Sequence, residues 1–199
     1  DDGGGNMTYT LGADAFTYPK NTNALVGPYT SDVRLDITAI TDQDGVQGTA
    51  LPVAAAPAGV EIRYGRLTVY DAYGTELQDL SLPIAVEYYT NLGSGNMGFA
   101  VNTADTCTGL AVGNFTLQNF TGELASGETS VTGVSLSAGS GTVTLAAPGD
   151  GNDGSLDVTT DLTGSGLPWL LYDWDGDGNH DNDPSAHATF GIFGGAQHQ

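Results

Sequence analysis

Asp173, Asp175 and Asp177 stand at every second position of the run Asp173-Trp174-Asp175-Gly176-Asp177-Gly178-Asn179-His180-Asp181-Asn182-Asp183. That spacing suits a hard divalent cation. Calcium takes six to eight oxygen ligands at about 2.3–2.6 Å, and an alternating D-x-D-x-D-G loop wraps several of them around one centre. Gly178 would supply the sharp turn, Asn179 a backbone carbonyl, and Asp181 or Asp183 the remaining oxygens. The expected metal ligands are therefore Asp173, Asp175, Asp177, Asn179, Asp181 and Asp183, with Ca2+ as the cofactor. Without a cation these like charges only repel, and the run would be a solvated acidic turn. It follows an EF-hand loop for nine positions, but Pro184 stands where the twelfth-position glutamate belongs, and no amphipathic helix flanks it. The expectation is a calcium loop set between β-strands. His180 reads as a solvent-facing spacer, since calcium prefers oxygen to imidazole. Trp169 and Trp174 flank the loop and are expected to anchor it against the core. Such an aromatic pair beside a cation could also hold a sugar ring.

The flanking elements read as strands. Helical periodicity is almost missing, and period-two alternation broken by glycine, asparagine and aspartate turns takes its place. Val33 to Ile40 alternates, and Asp42-Gln43-Asp44-Gly45 turns it. Val60 to Tyr70 predicts one long strand with Gly65 as a bulge or close-approach point, and Ile84 to Tyr89 returns. Further strands are expected over Met97–Val101, Asn114–Asn119, Val131–Ser137, Thr142–Ala146 and Ser155–Leu162. Trp169–Tyr172 should enter the acidic loop and Ala188–Phe193 leave it. Roughly ten to twelve short strands predict an all-β chain: an antiparallel β-sandwich of immunoglobulin-like style, with the calcium-binding Asp-rich loop near its C-terminus. Residues 50–58 carry two prolines and read as either a linker or a long loop. They divide a β segment or small subdomain, 1–58, from a larger sandwich, 59–199.

Charged residues make up only 14%, yet 24 are acidic against 4 basic, for a net charge of −20. Such a field repels nucleic acid and anionic membrane surfaces. No run approaches the ~18–20 apolar residues that span a membrane, so no membrane insertion is expected. The balance fits an extracellular protein in a medium that contains calcium. Cys107 stands alone and reads as a small buried hydrophobe, with half of an intermolecular bond as the alternative. The chain has no leading methionine or signal segment and looks like a processed or excised piece. Asp42 with Asp44, and Asp150, Asn152, Asp153 and Asp157, could form further oxygen sites, although plain turns use the same residues. There is no H-E-x-x-H, no G-x-S-x-G and no meaningful cysteine–histidine spacing, so no enzyme is expected.

Several motifs occur in a fixed order: Ile62-Arg63-Tyr64-Gly65-Arg66-Leu67, Ala72-Tyr73-Gly74-Thr75-Glu76-Leu77, Asp105-Thr106-Cys107-Thr108 and Leu167-Pro168-Trp169-Leu170. Tyr172-Asp173-Trp174-Asp175-Gly176-Asp177-Gly178, Asp181-Asn182-Asp183-Pro184-Ser185-Ala186 and Ala188-Thr189-Phe190-Gly191 complete the series. In that order they resemble the C-terminal domain of the MshQ-type family, associated with biogenesis of the mannose-sensitive haemagglutinin (MSHA) type IV pilus. The resemblance covers roughly residues 59–194. It implies an exported surface protein of a Gram-negative bacterium, connected with pili or adhesion and without catalytic activity. Members of that family are longer and continue into a short aromatic tail.

The expected function is thus an extracellular, calcium-stabilised structural or adhesive protein, a candidate subunit of a self-assembling pilus-like fibre. Residues 1–11 would be the strand donor in such a fibre. The alternative is a calcium-dependent module that binds a glycan or a surface. The expected partners are further copies of the chain or other pilus and surface proteins, with a glycan as the alternative ligand.

Overall fold

The computed structural model describes residues 18–32, 34–41, 44–45, 47, 51–55 and 59–191. Thirteen strands and two single-turn 3₁₀ segments, Val112–Asn114 and Pro168–Leu170, lie among the described residues. Two small antiparallel pairs come first: β1 (Tyr29–Thr30) with β4 (Glu61–Ile62), and β2 (Leu35–Ile37) with β3 (Val53–Ala55). The other nine strands form two sheets. The larger holds β5 (Gly65–Val69), β7 (Leu80–Asn91), β8 (Met97–Val101), β10 (Val131–Ser137) and β11 (Ser140–Leu145). Its order is β10-β11-β7-β5, with β8 pairing the far half of β7. The smaller runs β6-β13-β12-β9, from β6 (Ala72–Gly74), β13 (Ser185–Phe190), β12 (Gly154–Thr160) and β9 (Phe115–Gly122).

Period-two patterning builds the core. Leu80, Leu82 and Ile84 of β7 join Leu67 and Val69 of β5 and Val143 and Leu145 of β11. They share one apolar cluster with Leu156 and Val158 of β12 and with Ala186, Ala188 and Phe190 of β13. Each large side chain so buried stabilises the fold by about 1.5–3 kcal/mol relative to exposure. A core fed by the inward faces of two sheets is the arrangement of a β-sandwich. No helix among the described residues is long and apolar enough to cross a membrane.

The structure departs from the sequence expectations in several places. The sheets are antiparallel except for β6, which runs parallel to β13. The single strand expected over Val60–Tyr70 breaks at Arg63–Tyr64 into β4, which pairs β1, and β5, which pairs β7. Gly65 is the close-approach point: a Cβ there would lie 3.1 Å from Leu170 Cδ2. Trp169–Tyr172 is not a strand, since Pro168 opens a 3₁₀ turn that buries Leu170. Within 50–58, Val53–Ala55 is β3 rather than linker, while residues 50 and 56–58 lie outside the described set. Cys107 is exposed rather than buried. It sits in a turn tied together by Asp105, whose Oδ1 accepts the Cys107 and Thr108 amides, each at 3.1 Å.

Candidate metal centre

The acidic loop is closed at its base by the bridge between Tyr172 and Asn182, with N···O distances of 3.1 and 3.0 Å. Gly176 and Gly178 adopt φ of 78° and 89°, a left-handed backbone that glycine enters without steric cost. The loop therefore curls back on itself, and carboxylate oxygens of Asp173, Asp175 and Asp177 come within 4.8 Å of one another. Backbone amides aim them. Gly176 N donates to Asp173 Oδ1 (2.7 Å) and Gly178 N to Asp173 Oδ2 (3.1 Å). Asp177 N donates to Asp175 Oδ1 (3.2 Å) and Asn179 N to Asp177 Oδ1 (2.7 Å). The Asn179 side-chain amide, then its backbone amide, hold the Asp177 carboxyl below the usual carboxylate range. A carboxylate offers about four lone-pair sites, so these oxygens keep capacity for a cation. Two unit charges 4 Å apart repel by about 1 kcal/mol even in bulk water, and a divalent cation between them reverses the sign.

The other three expected ligands lie outside this trio. The Asn179 side chain binds Asp177 through Nδ2 and accepts from Asn23 Nδ2 at 2.9 Å. Asp181 is exposed. Asp183 Oδ1 accepts the Leu162 amide at 2.8 Å, and burial, reinforced by the nearby Asp161 charge, raises its pKa. Elsewhere, Asp157 is engaged by Asn119 Nδ2 (2.7 Å) and His187 Nδ1 (2.9 Å), and Asp42 lies outside the described residues. Among the described residues, Asp173, Asp175 and Asp177 are the one cluster of metal-ligating side chains.

His180 is not a solvent-facing spacer but is 7% exposed, stacked on Tyr172 with centroids 5.2 Å apart and hydrogen-bonded through Nδ1 to the Tyr64 hydroxyl. Tyr64 also donates to Asn21 O at 3.2 Å. Burial, then the neighbouring Tyr172 phenol, push the Tyr64 pKa up. Beside them, the Arg66 guanidinium lies 3.7 Å from the Phe99 ring centroid, 4.9 Å from Tyr172 and 5.2 Å from Trp174. Arg66 Nε also pairs with Glu87 Oε2 at 2.8 Å. Trp174 meets Tyr172 edge to face at 5.1 Å and so joins Tyr172, His180 and Arg66 in anchoring the loop, while Trp169 remains 48% exposed.

Lys20 is the residue that sequence reasoning missed. Its ammonium donates to Gly65 O (2.7 Å), Trp169 O (3.0 Å) and Leu171 O, and lies 4.3 Å from the Tyr64 ring centroid. It pins the segment around residues 18–24 to the approach of the acidic loop. Burial lowers its pKa from 10.5 to about 7. The near-absence of lysine was legible in the sequence, but three carbonyls from distant positions leave no local pattern.

The fold and loop together define an all-β sandwich carrying an acidic cluster that could hold a metal ion. The chain belongs to the DUF6701 family, with residues 63–199 matching its fourth domain. No curated protein and no solved structure matches it.

Proposed function

We propose that this chain is a calcium-braced β-sandwich with a structural or adhesive role at the surface of a bacterial cell. The observation that carries this reading is the convergence of Asp173, Asp175 and Asp177 on one glycine-turned loop, their oxygens within 4.8 Å. These three would form the core of the calcium site. Asn179, through its backbone carbonyl, and Asp181 and Asp183 are the candidates for the remaining positions, and Asp183 would share its carboxylate with the Leu162 amide. The carboxylates gather only in the folded chain, so calcium binding adds to folding stability, by about 2.7 kcal/mol at a hundred times Kd. The surface role draws on the resemblance to MshQ-type proteins, which carry DUF6701 domains. No catalytic role is proposed.

Melting the protein in millimolar calcium and again in excess chelator tests the brace. A higher Tm in calcium supports it, and an unchanged Tm overturns it. We also propose self-association, as in a pilus-like fibre, through exposed sheet edges such as β8 and β10. Residues 1–11, the expected donor strand, lie outside the described set. Sedimentation velocity with and without calcium reads this directly: large species that collapse in chelator support calcium-dependent assembly, and a monomer in both removes it. The half-exposed Trp169 beside the loop favours the second reading, a glycan- or surface-binding module.

A further inference from the structure

A cleft of about 170 Å³ opens between the segment that begins at Tyr18 and the junction of β4 with β5. Tyr18, Tyr29 and Trp169 line it while staying 46%, 41% and 48% exposed. The Tyr18 and Tyr29 rings meet edge to face at 6.2 Å, so each holds the other in place at the rim. Tyr70 and Tyr73 are exposed as well, but they stand apart from this cleft, where three half-open aromatic side chains line one concave surface.

The lining of this cleft differs in composition from the rest of the molecule. Two of the chain's four cations, Lys20 and Arg63, line it, and no carboxylate does among the described residues, in a protein with 24 acidic side chains. Lys20 directs its hydrogen bonds to three backbone carbonyls, so Arg63 is the cation left to meet a ligand. Arg63 donates from Nε to Glu61 Oε1 (2.6 Å) and from Nη1 to Asn102 Oδ1 (2.5 Å), which leaves the two hydrogens of Nη2 for a ligand. Guanidinium–carboxylate hydrogen bonds are about twice as strong as neutral ones.

We propose that this cleft binds a single acidic pyranose residue, such as a uronic or sialic acid. The ring lies against the aromatic walls, and its carboxylate takes the Nη2 hydrogens of Arg63. The volume is well below the roughly 300–1,000 Å³ of pockets that enclose drug-sized ligands, which suits one six-membered ring and not a folded peptide segment. The net charge of −20 opposes anions at long range, but physiological salt screens that field beyond about 8 Å, so the hydrogen-bond donors of Arg63 at short range decide. No residue in the site is a metal ligand, so the proposal does not depend on the calcium reading.

The test is a titration of the full ¹⁵N-labelled chain, in calcium and 0.15 M salt, with glucuronate, galacturonate and N-acetylneuraminate. Glucose, galactose and the acyclic diacid glutarate are the comparison set. The expected result is that at least one acidic sugar shifts the Tyr18, Tyr29 and Trp169 resonances and binds at least tenfold more tightly than its neutral counterpart and than glutarate. Trp169→Ala, at a half-exposed ring, should weaken that binding at least tenfold, and Arg63→Gln should erase the preference for the acidic sugar. Absence of shifts with every acidic sugar overturns the proposal. Equal binding of neutral sugars or glutarate, or wild-type affinity in Trp169→Ala, overturns it too.

Discussion

The Tyr64 hydroxyl and the His180 imidazole are hydrogen-bonded across 116 positions of sequence, both side chains buried. The bond joins the start of the larger sheet to the acidic loop. The Thr22 carbonyl, which accepts the His180 amide at 2.7 Å, brings the N-terminal segment to the same point. Three stretches that no local pattern connects thus meet at one polar contact, and the positioning of the candidate metal centre depends on it.

Tyr64→Phe keeps the ring and strips the hydroxyl, leaving the buried His180 Nδ1 without its hydrogen-bond partner. A loss of about 1–3 kcal/mol is expected in urea unfolding. Amide exchange at Thr22 to Ala24 should quicken with it. A double-mutant cycle with His180→Phe should return a coupling of at least about 0.5 kcal/mol; additive losses would show that the two residues act separately.

Arg66→Met removes the charge partner of Glu87, whose side chain is only 10% exposed. Glu87 keeps Thr68 Oγ1 at 2.7 Å, but a carboxylate stranded out of water is expensive. The expected loss is about 3–5 kcal/mol, and the double variant Arg66→Met, Glu87→Gln should recover most of it. Arg66→Lys should not, because an ammonium cannot stack flat against Phe99 and Tyr172 while reaching Glu87. Denaturant midpoints for the four proteins decide.

Lys20 has its pKa lowered from 10.5 to about 7. Between those values the unfolded chain holds a proton that the folded chain has released, so this residue's contribution to stability rises with pH across that window and is flat beyond it. Lys20→Met should flatten that slope in urea unfolding at pH 7, 8.5 and 10. Since Lys20 is the chain's single lysine, ¹³C reductive methylation places one lysine signal in the spectrum, and its titration midpoint should fall near 7.

Asp175→Asn should weaken calcium binding at least tenfold by calorimetry, about 1.4 kcal/mol. Asp183→Asn keeps an acceptor for the Leu162 amide while removing one charge from the proposed ligand set, and should weaken calcium binding less than Asp175→Asn does, by about threefold, roughly 0.6 kcal/mol. Unchanged affinity in Asp183→Asn would remove Asp183 from the ligand set.

The sequence alone determined what is local. Alternation of apolar and polar residues specified strands, and it marked Met97–Val101 and Val131–Ser137 to the residue. The spacing of Asp173, Asp175 and Asp177 with their glycines specified a curled loop, because the turn needs only its own backbone. Tertiary structure decided what depends on partners far along the chain. The parallel pairing of β6 with β13, the burial of His180 and the cage of Lys20 are all set by contacts 45 or more positions apart, as Lys20 with Gly65. A histidine among aspartates reads as solvated until a tyrosine 116 positions away and a stacked Tyr172 remove it from water. Two tryptophans beside a loop read alike as anchors until the packing seats Trp174 on Tyr172 and leaves Trp169 half exposed. Burial is a property of the assembled sheets, so no periodicity in the chain could report it.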